Sequence, residues 1–198
     1  MNHSARSHQP SRHRRTLRAD GTVSVEPTSS KLPQARGASA GSSASETPVS
    51  EIMTAEVICV APDVPLEALL ALMIERGISG VPVVNERGLP VGMVSKTDLV
   101  RYRYENGDTS SLDETTVSEV MLPIAHTVLE GTSLAHAAAL MAWEGIHRLP
   151  VCGERGDVVG MLSALDLVRW MSRREGYSAR RVGALSAPLV DDAPVSST

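Results

Sequence analysis

The chain has 198 residues, enough for one domain or two small ones with a buried core, and 42% of them are apolar. There is no Phe, so any core has to be built from Val, Leu, Ile, Met and Ala. A net charge of −4 exerts no global pull toward nucleic acid or an acidic membrane. No apolar run approaches the roughly 20 residues of a membrane span, and the N-terminal arginines have no apolar stretch behind them to make a secretory signal. A soluble, cytoplasmic protein is expected.

Residues 1–46 are dominated by Ser, Ala, Gly, Pro, Arg and His without periodicity. Such a stretch buries too little apolar surface to offset chain entropy, so it is expected to be disordered. It is also basic: Arg6, Arg12, Arg14, Arg15, Arg18, Lys31 and Arg36 stand against Asp20, Glu26 and, at its end, Glu46. A basic arm can touch nucleic acid, but no aromatic residues interleave with these charges, and a solvated tail is the simpler reading. Nucleic acid is not expected as a partner.

Beyond residue 47 the chain repeats itself. Val49-Ser50-Glu51-Ile52-Met53 returns as Val117-Ser118-Glu119-Val120-Met121, and Gly92-Met93-Val94-Ser95-Lys96-Thr97-Asp98 returns as Gly160-Met161-Leu162-Ser163-Ala164-Leu165-Asp166. Shifting the chain by 68 residues lays 49–102 on 117–170 without a gap. Two copies of one supersecondary unit follow.

Within the first copy, 49–53 reads as a helical turn, and Thr116-Val117-Ser118-Glu119 is a capping-box pattern at the same place in the second. Residues 57–60 form an all-apolar run, a short strand buried on both faces. Pro65 opens a helix in which Leu66, Leu69, Leu70 and Met73 share one face, and Gly77 stops it. Strands follow at 81–84 and 91–95 around the turn Asn85-Glu86-Arg87-Gly88, and a closing helix runs over 97–104. The second copy has its long helix at 133–143 and its closing helix near Trp170 and Met171. Cys59 and Cys152 both lie in apolar strand-like runs and read as buried, reduced thiols.

Ser95 with Asp98, and Ser163 with Asp166, sit where a strand passes into a helix. They can cap that helix, or offer a hydroxyl and a carboxylate to a polar ligand. Nothing in the chain reads as a nucleophile with its base, a phosphate loop, a dinucleotide fingerprint or a metal cluster, so an enzyme is not expected.

The motifs Met53-Thr54, Gly77-Ile78-Ser79-Gly80-Val81-Pro82-Val83-Val84 and Gly92 to Asp98, with their counterparts Met121-Leu122, Gly145-Ile146-His147-Arg148-Leu149-Pro150-Val151 and Gly160 to Asp166, resemble those of CBS domains. The resemblance covers about 48–172. It implies an α+β fold of two tandem β-α-β-β-α units packed as a pseudo-twofold pair, often called a Bateman module. The units would span 48–104 and 116–172, joined by a linker at 105–115 and followed by a flexible tail at 173–198.

The resemblance further implies two clefts that bind adenosine-containing ligands: AMP, ADP, ATP or S-adenosylmethionine. Asp98 with Ser95 and Thr97 would be completed by Ile146, His147 and Arg148, together with Leu122, from the second copy. Asp166 with Ser163 would be completed by Thr54, Val57, Ile58, Ile78 and Ser79 from the first. The Asp would take ribose hydroxyls and the Ser or Thr a phosphate. Leu122 and Leu165 stand where the other copy has Thr54 and Thr97, so neither cleft carries the full set of hydroxyls. No cofactor is required; an adenine nucleotide would act as effector in energy sensing, through a homodimer or a separate regulated protein. A ligand-free dimerisation scaffold is the alternative.

Overall fold

The all-apolar run at residues 57–60 is the strand from which the first unit is built. The computed structural model of the chain describes residues 13–27, 43–107, 112, 114–123 and 126–177. Its elements in order are β1 (His13–Leu17), β2 (Val23–Pro27), a 3-10 turn (Val49–Glu51), β3 (Val57–Val60), α1 (Leu66–Glu75), β4 (Gly80–Val84), β5 (Pro90–Ser95) and α2 (Lys96–Asn106). The second copy contributes α3 (Val117–Val120), β6 (Leu122–Pro123), β7 (Val128–Leu129), α4 (Leu134–Glu144), β8 (Arg148–Cys152), β9 (Val158–Ser163) and α5 (Ala164–Arg174). Two tandem β-α-β-β-α units of mixed helix and sheet result.

Each unit assembles as the repeat requires. β3 runs parallel to β4, and β4 antiparallel to β5; β7, β8 and β9 repeat that arrangement. The long helices close over these sheets. Leu66, Leu69 and Met73 of α1 are buried in the first core, Leu134, Ala137 and Met141 of α4 in the second. Gly77 and Gly145, at φ 62° and 65°, stop the two helices in the left-handed region that glycine adopts without steric cost.

The units also exchange their lead-in segments. Val49 and Met53 lead into β3 of the first sheet but pack in the second core, while Val117 and Val120 pack in the first. β6 adds to the edge of β5, and Thr54 bridges to Met161 of β9 at the equivalent place. Val49 and Val117 are fully buried, and burying each contributes on the order of 2 kcal/mol that neither unit has alone. A third apolar cluster, Val57, Cys59, Val84 and Val158 with Met161 against it, glues the two sheets together. Cys59 and Cys152 are buried free thiols.

The N-terminal segment departs from expectation. Within the stretch read as disordered, β1 and β2 form an antiparallel hairpin, and β1 lies parallel to β3, with Arg14 opposite Val57 and Leu17 opposite Val60. The first sheet thus has six strands in the order β2-β1-β3-β4-β5-β6. The hairpin is held by an edge rather than by a core of its own: Leu17 is its one residue in the first core, while Val23 and Val25 are exposed. Arg14 is buried, bonds Glu26 across the hairpin and lies 3.8 Å from Asp157 of the second unit. Residues 1–12 and 28–42 of the basic segment, and 178–198 of the expected tail, lie outside the described residues.

Candidate ligand-binding clefts

Each strand-to-helix junction builds the same device. The backbone N–H and hydroxyl of Ser95 donate to Asp98 Oδ2 at 2.8 and 2.6 Å, and the Asp98 N–H returns to Ser95 Oγ at 3.4 Å. Ser163 and Asp166 reproduce this at 2.9, 2.6 and 3.3 Å. These are reciprocal capping boxes at the starts of α2 and α5. The cap occupies one carboxylate oxygen and leaves the other: Asp98 Oδ1 lies 3.8 Å from Arg101 and Asp166 Oδ1 lies 3.6 Å from Arg169. Both carboxylates are buried, at 6% and 8% exposure. Capping and ligand binding are therefore compatible for the aspartates. For the serines they compete, because each hydroxyl proton is already donated to its Asp.

Two cavities open beside these junctions. One, of about 430 Å³, is lined by Ser95, Thr97 and Asp98 from the first copy and by Leu122, Ile146, His147 and Arg148 from the second. The other, of about 620 Å³, is lined by Ser163 and Asp166 together with Thr54, Val57, Ile58, Ile78 and Ser79. The exchange of lead-in segments causes this crossing, since it lays Leu122 on the first sheet and Thr54 on the second. All fourteen residues singled out in the sequence line at least one of the two cavities, and both volumes are in the range of small-ligand sites.

The structure adds residues that the sequence reading left out. Lys96 and His126 line the Asp98 cavity; Glu56 and Arg169 line the Asp166 cavity. His126 was findable, because a shift of 68 carries Ile58, already placed in the other cleft, onto it. The change of residue type hid the equivalence. His126 Nε2 lies 3.6 Å from Glu144. Arg148 is half-buried and bonds the Ser79 hydroxyl. Burial lowers its pKa below the ordinary arginine value, and the Asp166 carboxylate opposes that shift. Among the described residues no group of three or more His, Cys, Asp or Glu side chains could hold a metal ion, and no helix is long and apolar enough to cross a membrane.

The family model of the CBS domain matches the chain twice, at residues 49–105 and 117–173. The chain belongs to the CBS-domain family. It is 32% identical over 132 residues to the CBS domain-containing protein YhcV of Bacillus subtilis, covering 66% of this chain and 91% of that one. It is 34% identical over 138 residues to the inosine-5'-monophosphate dehydrogenase of Korarchaeum cryptofilum, covering 68% of this chain and 27% of the enzyme. With so little of the enzyme matched, the similarity carries no dehydrogenase activity to this CBS pair. Among the curated relatives, the chain spans 61% of one archaeal protein and about a quarter of the dehydrogenases. Among solved structures, it superimposes on the CBS-pair protein CBSX2 of Arabidopsis thaliana in complex with AMP at a TM-score of 0.57 and 27% identity, over 65% of this chain and 98% of that one.

Proposed function

We propose that this CBS pair is a regulatory module that binds adenosine-containing ligands, AMP, ADP or ATP and also S-adenosylmethionine, in its two clefts. The observation that carries the reading is the crosswise cavity: a buried carboxylate at a helix start from one copy, faced by apolar and polar side chains from the other. A carboxylate oxygen accepts charge-assisted hydrogen bonds from a cis-diol, which anchors ribose. Val57, Ile58 and Ile78 in one cleft, and Leu122 and Ile146 in the other, supply the apolar faces for a purine. His147, Arg148 and Lys96 supply donors for phosphate. The complex of CBSX2 with AMP supports the ligand class.

Because each cleft is assembled from both copies, a ligand stabilises one angle between them, and a bound partner senses that angle. The module acts in the cytoplasm as a homodimer. Exposed apolar side chains on the closing helices, Val100 and Tyr104 of α2 and Val168 and Met171 of α5, support self-association. Energy sensing is the role in which AMP, ADP and ATP compete for one site.

A thermal-shift and calorimetric panel of AMP, ADP, ATP and S-adenosylmethionine tests the reading. At least one ligand is expected to bind below millimolar and raise the midpoint by mass action. If none does, and the chain still dimerises in sedimentation, it is a scaffold and not a sensor.

A further inference from the structure

The two clefts share a wall. Ser79, Gly80, His147 and Arg148 line both cavities. Under the shift of 68, Ser79 corresponds to His147 and Gly80 to Arg148, so the wall is the pseudo-twofold meeting of one position pair with itself. The repeat is broken here. One copy has no side chain at 80, and the other has a long cation at 148.

Arg148 packs alongside Gly80 at ordinary contact distance. A Cβ on Gly80 would stand 3.5 Å from Arg148 Cδ and 3.7 Å from its Nη1. The guanidinium then reaches across to the Ser79 hydroxyl. Asp166, the carboxylate whose field opposes the burial shift, is in ion-pair contact with Arg169 instead. The wall therefore holds one guanidinium, half-buried and anchored by a neutral hydroxyl, at the boundary of two sites.

We propose that Arg148 is a phosphate-selecting residue shared by both clefts, so that the chain binds one anionic adenine nucleotide tightly and a second only weakly. The inference rests on the nucleotide reading above. A guanidinium has two edges that can each grip a phosphate with a pair of parallel hydrogen bonds, but an Nη2 proton of Arg148 is already given to the Ser79 hydroxyl, which leaves one complete edge for a single phosphate. The second nucleotide must bind without that grip, and its phosphate faces the first across a thin wall. The Asp98 cavity takes the first, because Lys96 and His126 line it with Arg148, whereas the Asp166 cavity adds Glu56 and an Arg169 already in ion-pair contact with Asp166. An uncharged nucleoside meets no such competition. By linkage the antagonism is mutual: whatever weakens the second site when the first is filled weakens the first when the second is filled.

Calorimetry on the full chain with AMP and with adenosine tests this, using the native protein, Arg148→Gln and Arg148→Lys. Native protein is expected to show two AMP affinities separated by about tenfold or more, or one AMP site in all, while adenosine fills two sites of similar, lower affinity. Arg148→Gln should weaken the tight AMP site by about tenfold and bring the two together. Arg148→Lys should fall between, and it serves in place of Gln if that variant loses its native thermal midpoint. Two equal, independent AMP sites in the native protein overturn the proposal, as does a separation that survives in both variants or is equally large for adenosine. Failure of AMP and adenosine alike to bind removes the nucleotide reading itself, a result distinct from binding without antagonism.

Discussion

Thr54 and Met161 exchange both of their backbone hydrogen bonds, N–H to carbonyl at 2.8 Å one way and 2.9 Å the other. That two-way bridge hands the first copy's lead-in segment to the second unit. β6 and Met93 do the same in the first unit. The close approach needs glycine at both places. A Cβ on Gly92 would stand 2.8 Å from the Leu122 carbonyl oxygen and 2.8 Å from Met121 Sδ; on Gly160 it would stand 2.5 Å from Met53 Sδ. A thioether can swing aside, but a carbonyl in a ladder cannot. Gly92→Ala is expected to cost about 2–3 kcal/mol and Gly160→Ala about 1 kcal/mol in urea unfolding. The reverse ranking would mean that the ladder at β6 is the softer of the two.

The capping boxes separate structure from binding at the same residue. Asp98→Asn keeps a carbonyl oxygen to accept the Ser95 N–H but removes the charge, so it should cost under about 1 kcal/mol of stability. On the proposed function it should weaken AMP by about tenfold or more, because a charge-assisted pair of bonds becomes a neutral one. Ser95→Ala should do the opposite, lowering stability by about 1 kcal/mol with a smaller effect on affinity, since that hydroxyl is committed to Asp98. Denaturation and calorimetry on the same preparations give both numbers. Unchanged AMP affinity in Asp98→Asn would leave the aspartate a cap alone.

Most of the clefts was legible because the resemblance to CBS domains implies their lining, and the offset of 68, blind to chemistry, carries many positions of one cleft onto the other. Where chemistry was used as the guide, residues were lost. Ile58 maps to His126 and Lys96 to Ala164, and neither pair looks related by residue type. Arg148 was visible as a candidate in one cleft, but its place in both was not, because that depends on its guanidinium reaching across to the Ser79 hydroxyl. The N-terminal hairpin was missed for another reason. Its charges were summed as a net excess, whereas Arg14 and Glu26 cancel locally across the strands. The available signal was Asp20-Gly21, a turn pair followed by alternating Val23-Ser24-Val25-Glu26, with Gly21 at φ 78°.

Cys59 gives a prediction about pH. Burial is the largest influence on its thiol, Arg14 opposes it and Cys152 adds to it, and the pKa rises from 9.0 to about 12. A folded-state pKa above the unfolded one contributes stability that is complete below pH 9 and is lost as pH climbs from 9 toward 12. Native protein at pH 8 should therefore leave Cys59 unlabelled by a disulfide reagent until urea unfolds it. Stability should fall between pH 9 and pH 11 by up to about 1.4 kcal/mol per unit more than in Cys59→Ala. Equal alkaline slopes in the two proteins would show that Cys59 stays protonated in neither state or both.

The hairpin closes the one strand edge that matters most to the Asp166 cleft, because β3 carries Val57 and Ile58 into that cavity. Arg14 locks it from below. Its guanidinium lies against Gly88, where any side chain would collide with it, and binds Glu26 and faces Asp157. Arg14→Ala leaves the Asp157 side without that cation, while Glu26, at 39% exposure, can turn to water. The expected cost is about 1–3 kcal/mol, below that of a fully buried pair. Removing residues 1–27 should do more. It uncovers the backbone N–H and C=O groups of β3, so the shortened chain should unfold at lower urea and self-associate with rising concentration in light scattering. AMP affinity should fall as well, since Val57 and Ile58 lose the neighbour that holds their strand flat. A shortened chain with the native midpoint and no added scattering would mean that β3 keeps its place without β1.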